Sequence, residues 1–64
     1  MIEEIVYYIE ERNSAGNWVK PALSEFRNEE MAKRILRWYS KAERKPLDSL
    51  RIMKRTSQLE IVSL

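Results

Sequence analysis

The chain of 64 residues has no cysteine and no histidine, one glycine and two prolines. Without cysteine, no disulfide or thiolate metal site can staple so small a domain. Without histidine, the commonest general base and the commonest metal ligand are both missing. A single glycine cannot build a phosphate-cradling glycine loop. No window approaches the roughly 18 apolar residues of a membrane-spanning helix. The N-terminus lacks the basic segment, apolar run and small-residue cleavage site of a secretion signal. These absences predict one soluble, cytoplasmic domain over 1–64, with no metal, no cofactor and no membrane association. A domain of this length buries only about 60% of its unfolded surface, so its core is marginal and dimerisation is a common remedy.

What is present begins with Ile5, Val6, Tyr7, Tyr8 and Ile9, an unbroken run of strand-favouring side chains. A half-buried strand alternates apolar and polar residues. This run does not, so as a strand it is apolar on both faces and belongs in mid-sheet with cover on each side. Ile2, Ile5, Val6 and Ile9 also satisfy helical spacing. Adjacent tyrosines and β-branched residues lose rotamer freedom in a helix, which favours the strand. The alternative is an all-helical unit with helices at 2–12 and 47–55.

Asn13 to Asn17 is rich in turn formers and holds the only glycine. Trp18, Val19 and Lys20 then form a short returning strand that ends at Pro21. Phe26 anchors the following connection in the core. Asn28 is an N-cap, with Glu29 and Glu30 at the positive helix end. The helix runs to about Glu43 or Arg44, and Pro46 stops it. Met31, Ala32, Ile35, Leu36, Trp38, Tyr39 and Ala42 fall in one arc of roughly 160°. Leu47 to Ser49 turn the chain. Leu50 to Arg55 alternate as a strand, with Leu50 and Ile52 toward the helix and Arg51, Met53 and Arg55 away. After Thr56, Ser57 and Gln58, the apolar tail Leu59 to Leu64 has three routes. It extends the third strand, folds back as a fourth, or pairs with another chain. The predicted class is α+β: a three-stranded antiparallel sheet in ββαβ order with one helix on one face, and a fourth C-terminal strand if the tail folds back. The opening run is central, with the third strand beside it.

The residues Tyr8 to Arg12, Trp18, Phe26 before Asn28, Glu29, Glu30 and Ala32, and then Leu50 to Thr56 form a pattern. It resembles small uncharacterised bacteriophage and prophage proteins. These carry a hairpin ending near a Trp, a Phe leading into an acidic helix start, and a closing strand of aromatic, Arg, Ile, Val, Lys, Arg, Thr. Here Leu50 replaces the aromatic and Met53 the Val. The resemblance implies a phage context in a bacterial host cell and the hairpin–helix–strand fold. It implies no chemistry at any position.

The carboxylate pairs Glu3/Glu4 and Glu10/Glu11 are strand neighbours that point to opposite faces, so neither pair acts on one atom. The six serines have no histidine base. The expectation is a non-enzymatic protein. Two surfaces could carry binding. Residues 1–11 hold four acids and no base, whereas Arg27 to Arg55 holds ten Lys or Arg against four acids. Lys33, Arg34, Arg37, Lys41 and Arg44 share the helix face opposite the apolar arc, partly offset by Glu30. That face suits phosphate or an acidic protein surface, although a solvated helix rich in Lys and Arg is the commoner case. No aromatic alternates with these cations on that outer face, so single-strand binding by base stacking is not expected there. The second surface is the sheet face away from the helix. With Ile5, Tyr7 and Ile9 toward the helix, Val6 and Tyr8 point away, joined by Val19 and Met53; the opposite parity is open. With Leu59, Ile61 and Val62 from the tail, these form the expected homodimer or protein-partner surface. The functional expectation is a phage-type accessory protein that binds a host or phage macromolecule, as an inhibitor or modulator of a host system. The alternative is a nucleic-acid-binding accessory protein using the basic helix face.

Overall fold

The computed structural model describes residues 4–56 and 59–62, with Glu60 described in its backbone alone. Expectations that involve Ile2, Glu3, Ser57, Gln58, Ser63 and Leu64 therefore fall, for those residues, outside the described part. The elements are β1 (Val6–Arg12), β2 (Trp18–Val19), α1 (Glu29–Ala42), a one-turn 3-10 helix (Leu47–Ser49), β3 (Leu50–Arg55) and β4 (Leu59–Val62). The strands form one antiparallel sheet in the order β2-β1-β3-β4, with α1 packed on one face. The opening run is thus an inner strand, and the tail folds back as a fourth strand.

β1 starts one residue later than the apolar run and continues through Glu10, Glu11 and Arg12. The continuation follows from β3, which pairs with β1 from Val6↔Arg55 to Glu11↔Leu50. Opposite charges face each other at Glu10↔Arg51, and such pairs stabilise an antiparallel ladder by about 0.2–1 kcal/mol. Ile5 lies outside the strand and is exposed.

The loop to β2 is built on Asn13. Its side-chain carbonyl accepts from the backbone N–H groups of Ala15 (3.0 Å) and Asn17 (2.9 Å). Gly16 takes φ +86°, where a side chain would be strained. Beyond β2, the chain touches β1 again at Phe26, which exchanges both backbone hydrogen bonds with Tyr7 (2.6 and 2.7 Å). Between the Val19 and Phe26 contacts this segment advances seven residues while β1, from Glu11 back to Tyr7, advances four. The three-residue excess loops out around Pro21, which has no N–H to give a ladder.

Asn28 caps α1, its Oδ1 accepting from the Met31 N–H at 3.2 Å. The helix ends before Pro46 is reached. Arg44 turns into the left-handed region at φ 53°, and the Lys45 N–H reaches back five residues to the Ser40 carbonyl at 2.9 Å. This is a Schellman-type stop, made here without its usual glycine. Ile9, Leu36 and Ile52 are almost wholly buried and form the core with Ala32 and Leu50. Tyr7, Leu23, Phe26, Ile35, Tyr39 and Val62 pack around them. Tyr7, Ile9, Leu50 and Ile52 face the helix, as their alternation predicts.

Candidate functional site

The sheet face away from α1 differs from the open apolar surface expected of it. Val6, Tyr8 and Met53 do lie on that face, but they are only 6%, 8% and 6% exposed. Long cationic side chains lie across it. Lys20 Nζ stands 5.2 Å from the centre of the Tyr8 ring and the Arg55 guanidinium 5.7 Å from it. Both cations bind Glu25, Lys20 at 2.8 Å and Arg55 at 3.2 Å. The Glu25 carboxyl is held below the usual carboxylate range, first by the Lys20 hydrogen bond. Arg51 repeats the device four residues before Arg55 on β3. Its guanidinium lies 4.2 Å from the centre of the Trp18 ring, and its Nε and Nη2 donate to Glu10 Oε1 at 2.8 and 2.7 Å. Arg12 stands 5.8 Å from the same ring. A cation over an aromatic face contributes about 0.5–1 kcal/mol at exposed sites, and the aliphatic stems of these side chains cover apolar surface.

The expected partner residues therefore separate. Val19 sits opposite Glu11, so it belongs to the helix side and not to the far face. The hairpin register places Trp18 on the far face in its stead. Val62 sits opposite Ile52 and packs against the core. Leu59 and Ile61, opposite Arg55 and Met53, are the members that stay open, at 61% and 63% exposure.

The outer face of α1 is different in kind. Lys33 is engaged by Glu29 at 3.3 Å. Arg34, Arg37, Lys41 and Arg44 are exposed and make no ion pair among the described residues. Glu30 is the one acid of α1 on the same side. Trp38 is 57% exposed and Met31 43%, which overturns the placing of Trp38 in the core. The apolar arc of α1 is wider than the strip a helix can press on a sheet. Contact centres on Ala32 and Leu36, both fully buried. Trp38, Met31 and Ala42 occupy the far end of the arc, by helix geometry about 100° or more from that centre. Trp38 consequently stands one turn after Arg34 and one turn before Lys41, beside Arg37. An exposed indole and three cations share one side of the helix, and Arg44 follows two residues past its end.

No family model, no curated protein and no solved structure matches this chain. Among the described residues, no group of three or more His, Cys, Asp or Glu is placed to hold a metal ion, and no helix is long and apolar enough to cross a membrane.

One polar cluster escaped sequence reasoning. Glu11 faces the helix side and accepts from Tyr39 Oη at 2.9 Å and from Lys45 Nζ at 2.9 Å. The Lys45 hydrogen bond, with help from Tyr39, holds the Glu11 carboxyl below its usual range. Burial, reinforced by Glu11, raises the Tyr39 phenol, and Glu11 raises the Lys45 ammonium. Every shift favours the form present at neutral pH, so no member is poised to exchange a proton there. The trio ties the end of α1 to β1. The signal that could have found it is the parity of β1: once Tyr7 and Ile9 face the helix, so does Glu11.

Proposed function

We propose that this chain is a small non-enzymatic accessory protein of phage type. It acts in the cytoplasm of a bacterial host by binding nucleic acid through the outer face of α1. The observation that carries this reading is the set Arg34, Arg37, Lys41 and Arg44, exposed and without carboxylate partners among the described residues. The cations elsewhere are largely engaged: Lys20, Arg51 and Arg55 lie against rings and carboxylates, and Lys45 binds Glu11. Cations left open beside one another repel slightly, by a few tenths of a kcal/mol per pair one turn apart. A polyanion relieves that repulsion and releases its own counterions. The geometry of Arg44 adds support. An arginine occupies the left-handed position that glycine fills at lower cost, and a broken local rule of this kind is a pointer to function. The resemblance to phage proteins supports action by occupancy, as an inhibitor or modulator of a host system.

The test is fluorescence anisotropy with labelled nucleic acid across a salt series. Affinity should fall linearly on logarithmic axes as salt rises. The triple variant R34E/R37E/K41E should lose binding while keeping the wild-type circular dichroism spectrum. Wild-type protein that binds no nucleic acid at low salt would end this reading.

Leu59 and Ile61 favour a second reading, association of two copies through β4. Among the described residues β4 is an edge strand, and an antiparallel edge can pair with its own copy about a twofold axis. L59K/I61K would then turn a dimer into a monomer in light scattering. A wild-type protein that is monomeric at high concentration would remove this reading and leave the first untouched.

A further inference from the structure

We infer that the nucleic acid bound by the outer face of α1 is single-stranded, with Trp38 supplying a stacking platform for a base; this rests on the nucleic-acid reading above. The indole is 57% exposed, an unfavourable place for the largest apolar side chain of the helix unless something covers it. Its neighbours restrict what the cover can be. Arg34 lies one turn before it and Lys41 one turn after, with Ile35 and Ala42 on its other flank. A purely apolar partner would bury these cations beside the ring without neutralising them, at a cost that grows with each one. An occupant with a flat apolar face and an anion next to it satisfies both requirements at once.

A nucleotide has that composition: a base with a π-face, joined to a phosphate. In a duplex the base faces are stacked on each other and only the edges are presented. In a single strand they are free, and base–aromatic stacking is the ordinary device of single-strand binding. From Arg34 to Lys41 the cationic strip runs about 10 Å along the helix axis at 1.5 Å per residue, with Arg44 beyond the helix end. Phosphates on either side of a base stacked on Trp38 would therefore meet Arg34 one turn before it and Lys41 one turn after it. The remaining tryptophan cannot take this role, because Trp18 already has the Arg51 guanidinium 4.2 Å from its ring centre.

The experiment compares fluorescein-labelled oligothymidylate with a duplex of the same length, at fixed salt, against the wild-type chain, W38A, W38F and R34E/R37E/K41E. Trp38 lies outside the core, so W38A should fold normally, and circular dichroism checks this. Tighter binding of the single strand, a loss of roughly 5- to 150-fold in W38A, and substantial rescue in W38F are expected. The salt slope of W38A should match that of the wild type, because no phosphate contact has been removed. Duplex binding as tight as single-strand binding, or W38A binding like wild type, would overturn the inference. If charge reversal still abolished binding in that case, the broader nucleic-acid reading would survive it. Absence of binding to either probe would overturn both.

Discussion

Two backbone positions carry conformations that their neighbours demand. Gly16 at φ +86° has open space where a Cβ would stand, so a substitution there meets only backbone strain. Gly16→Ala should destabilise the protein by about 1 kcal/mol, read as a lower urea midpoint with an unchanged slope. Arg44 presents the opposite case, since a side chain already sits in the left-handed region. Arg44→Gly should raise stability by roughly 0.5–1 kcal/mol and weaken nucleic-acid binding at the same time. An opposed pair of effects would show that the position serves binding at some expense to the helix stop. A variant that is both less stable and unchanged in binding would contradict this account.

The helix and the two inner strands hold the molecule together, because the fully buried side chains are theirs. Leu36 is wholly buried between α1 and the sheet. Leu36→Ala should cost about 2–5 kcal/mol, a large part of the 5–15 kcal/mol available to an ordinary domain, and the variant should be largely unfolded or melt far earlier by circular dichroism. Trp38→Ala, two positions on, should change the melting temperature little. A similar loss in both variants would mean that the indole is packed after all. The apolar arc of α1 was legible in the sequence, but its depth of burial was not. Periodicity reports the side of the helix on which a residue lies. How far the sheet reaches around that side depends on the crossing of two elements, and no local pattern encodes it.

In the molecule as a whole, charge does work that a second layer of secondary structure does in larger sheets. Glu10 with Arg51, and Glu25 with Lys20 and Arg55, hold cations across the rings of Trp18 and Tyr8. On the helix side, Glu11 binds Tyr39 and Lys45. Glu11 and Glu25 both have depressed carboxyl pKa values in the folded state, set first by hydrogen bonds from Lys45 and Lys20 respectively. A depressed carboxylate contributes its full stability above the unfolded value, about 4.3 for glutamate, and loses it as pH falls through the folded value. Thermal stability should therefore hold at neutral pH and decline below about pH 4, with a shallower acid decline in Glu11→Gln. Lys45 and Tyr39 are raised, so their contributions persist through neutral pH and fade only in strong alkali. Tyr39→Phe, which deletes the 2.9 Å bond to Glu11, should cost about 1 kcal/mol by urea melt. An acid limb identical in wild type and Glu11→Gln would show that this carboxylate is not a determinant of stability.

Short-range chemistry settled the element order, the bounds of β3 at Leu50 and Arg55, the Asn28 cap and the faces of Tyr7, Ile9, Leu50 and Ile52. Those features depend on cap chemistry and on periods of two and 3.6 residues, all contained within a few positions of the chain. Other features needed the assembled fold. The approach of Arg51 to the glutamates of β1 follows from β3 lying beside β1, but only in that fold does the Arg51 guanidinium, held by Glu10 41 residues away, close over Trp18. Only there does the hairpin register turn Val19 to the helix side, and the tail add itself to β3. The exclusion of Trp38 from the core belongs with them. Each is a matter of which distant surfaces reach one another, and flexible ionic side chains and edge strands have many candidate partners until the packed sheet and helix leave them one.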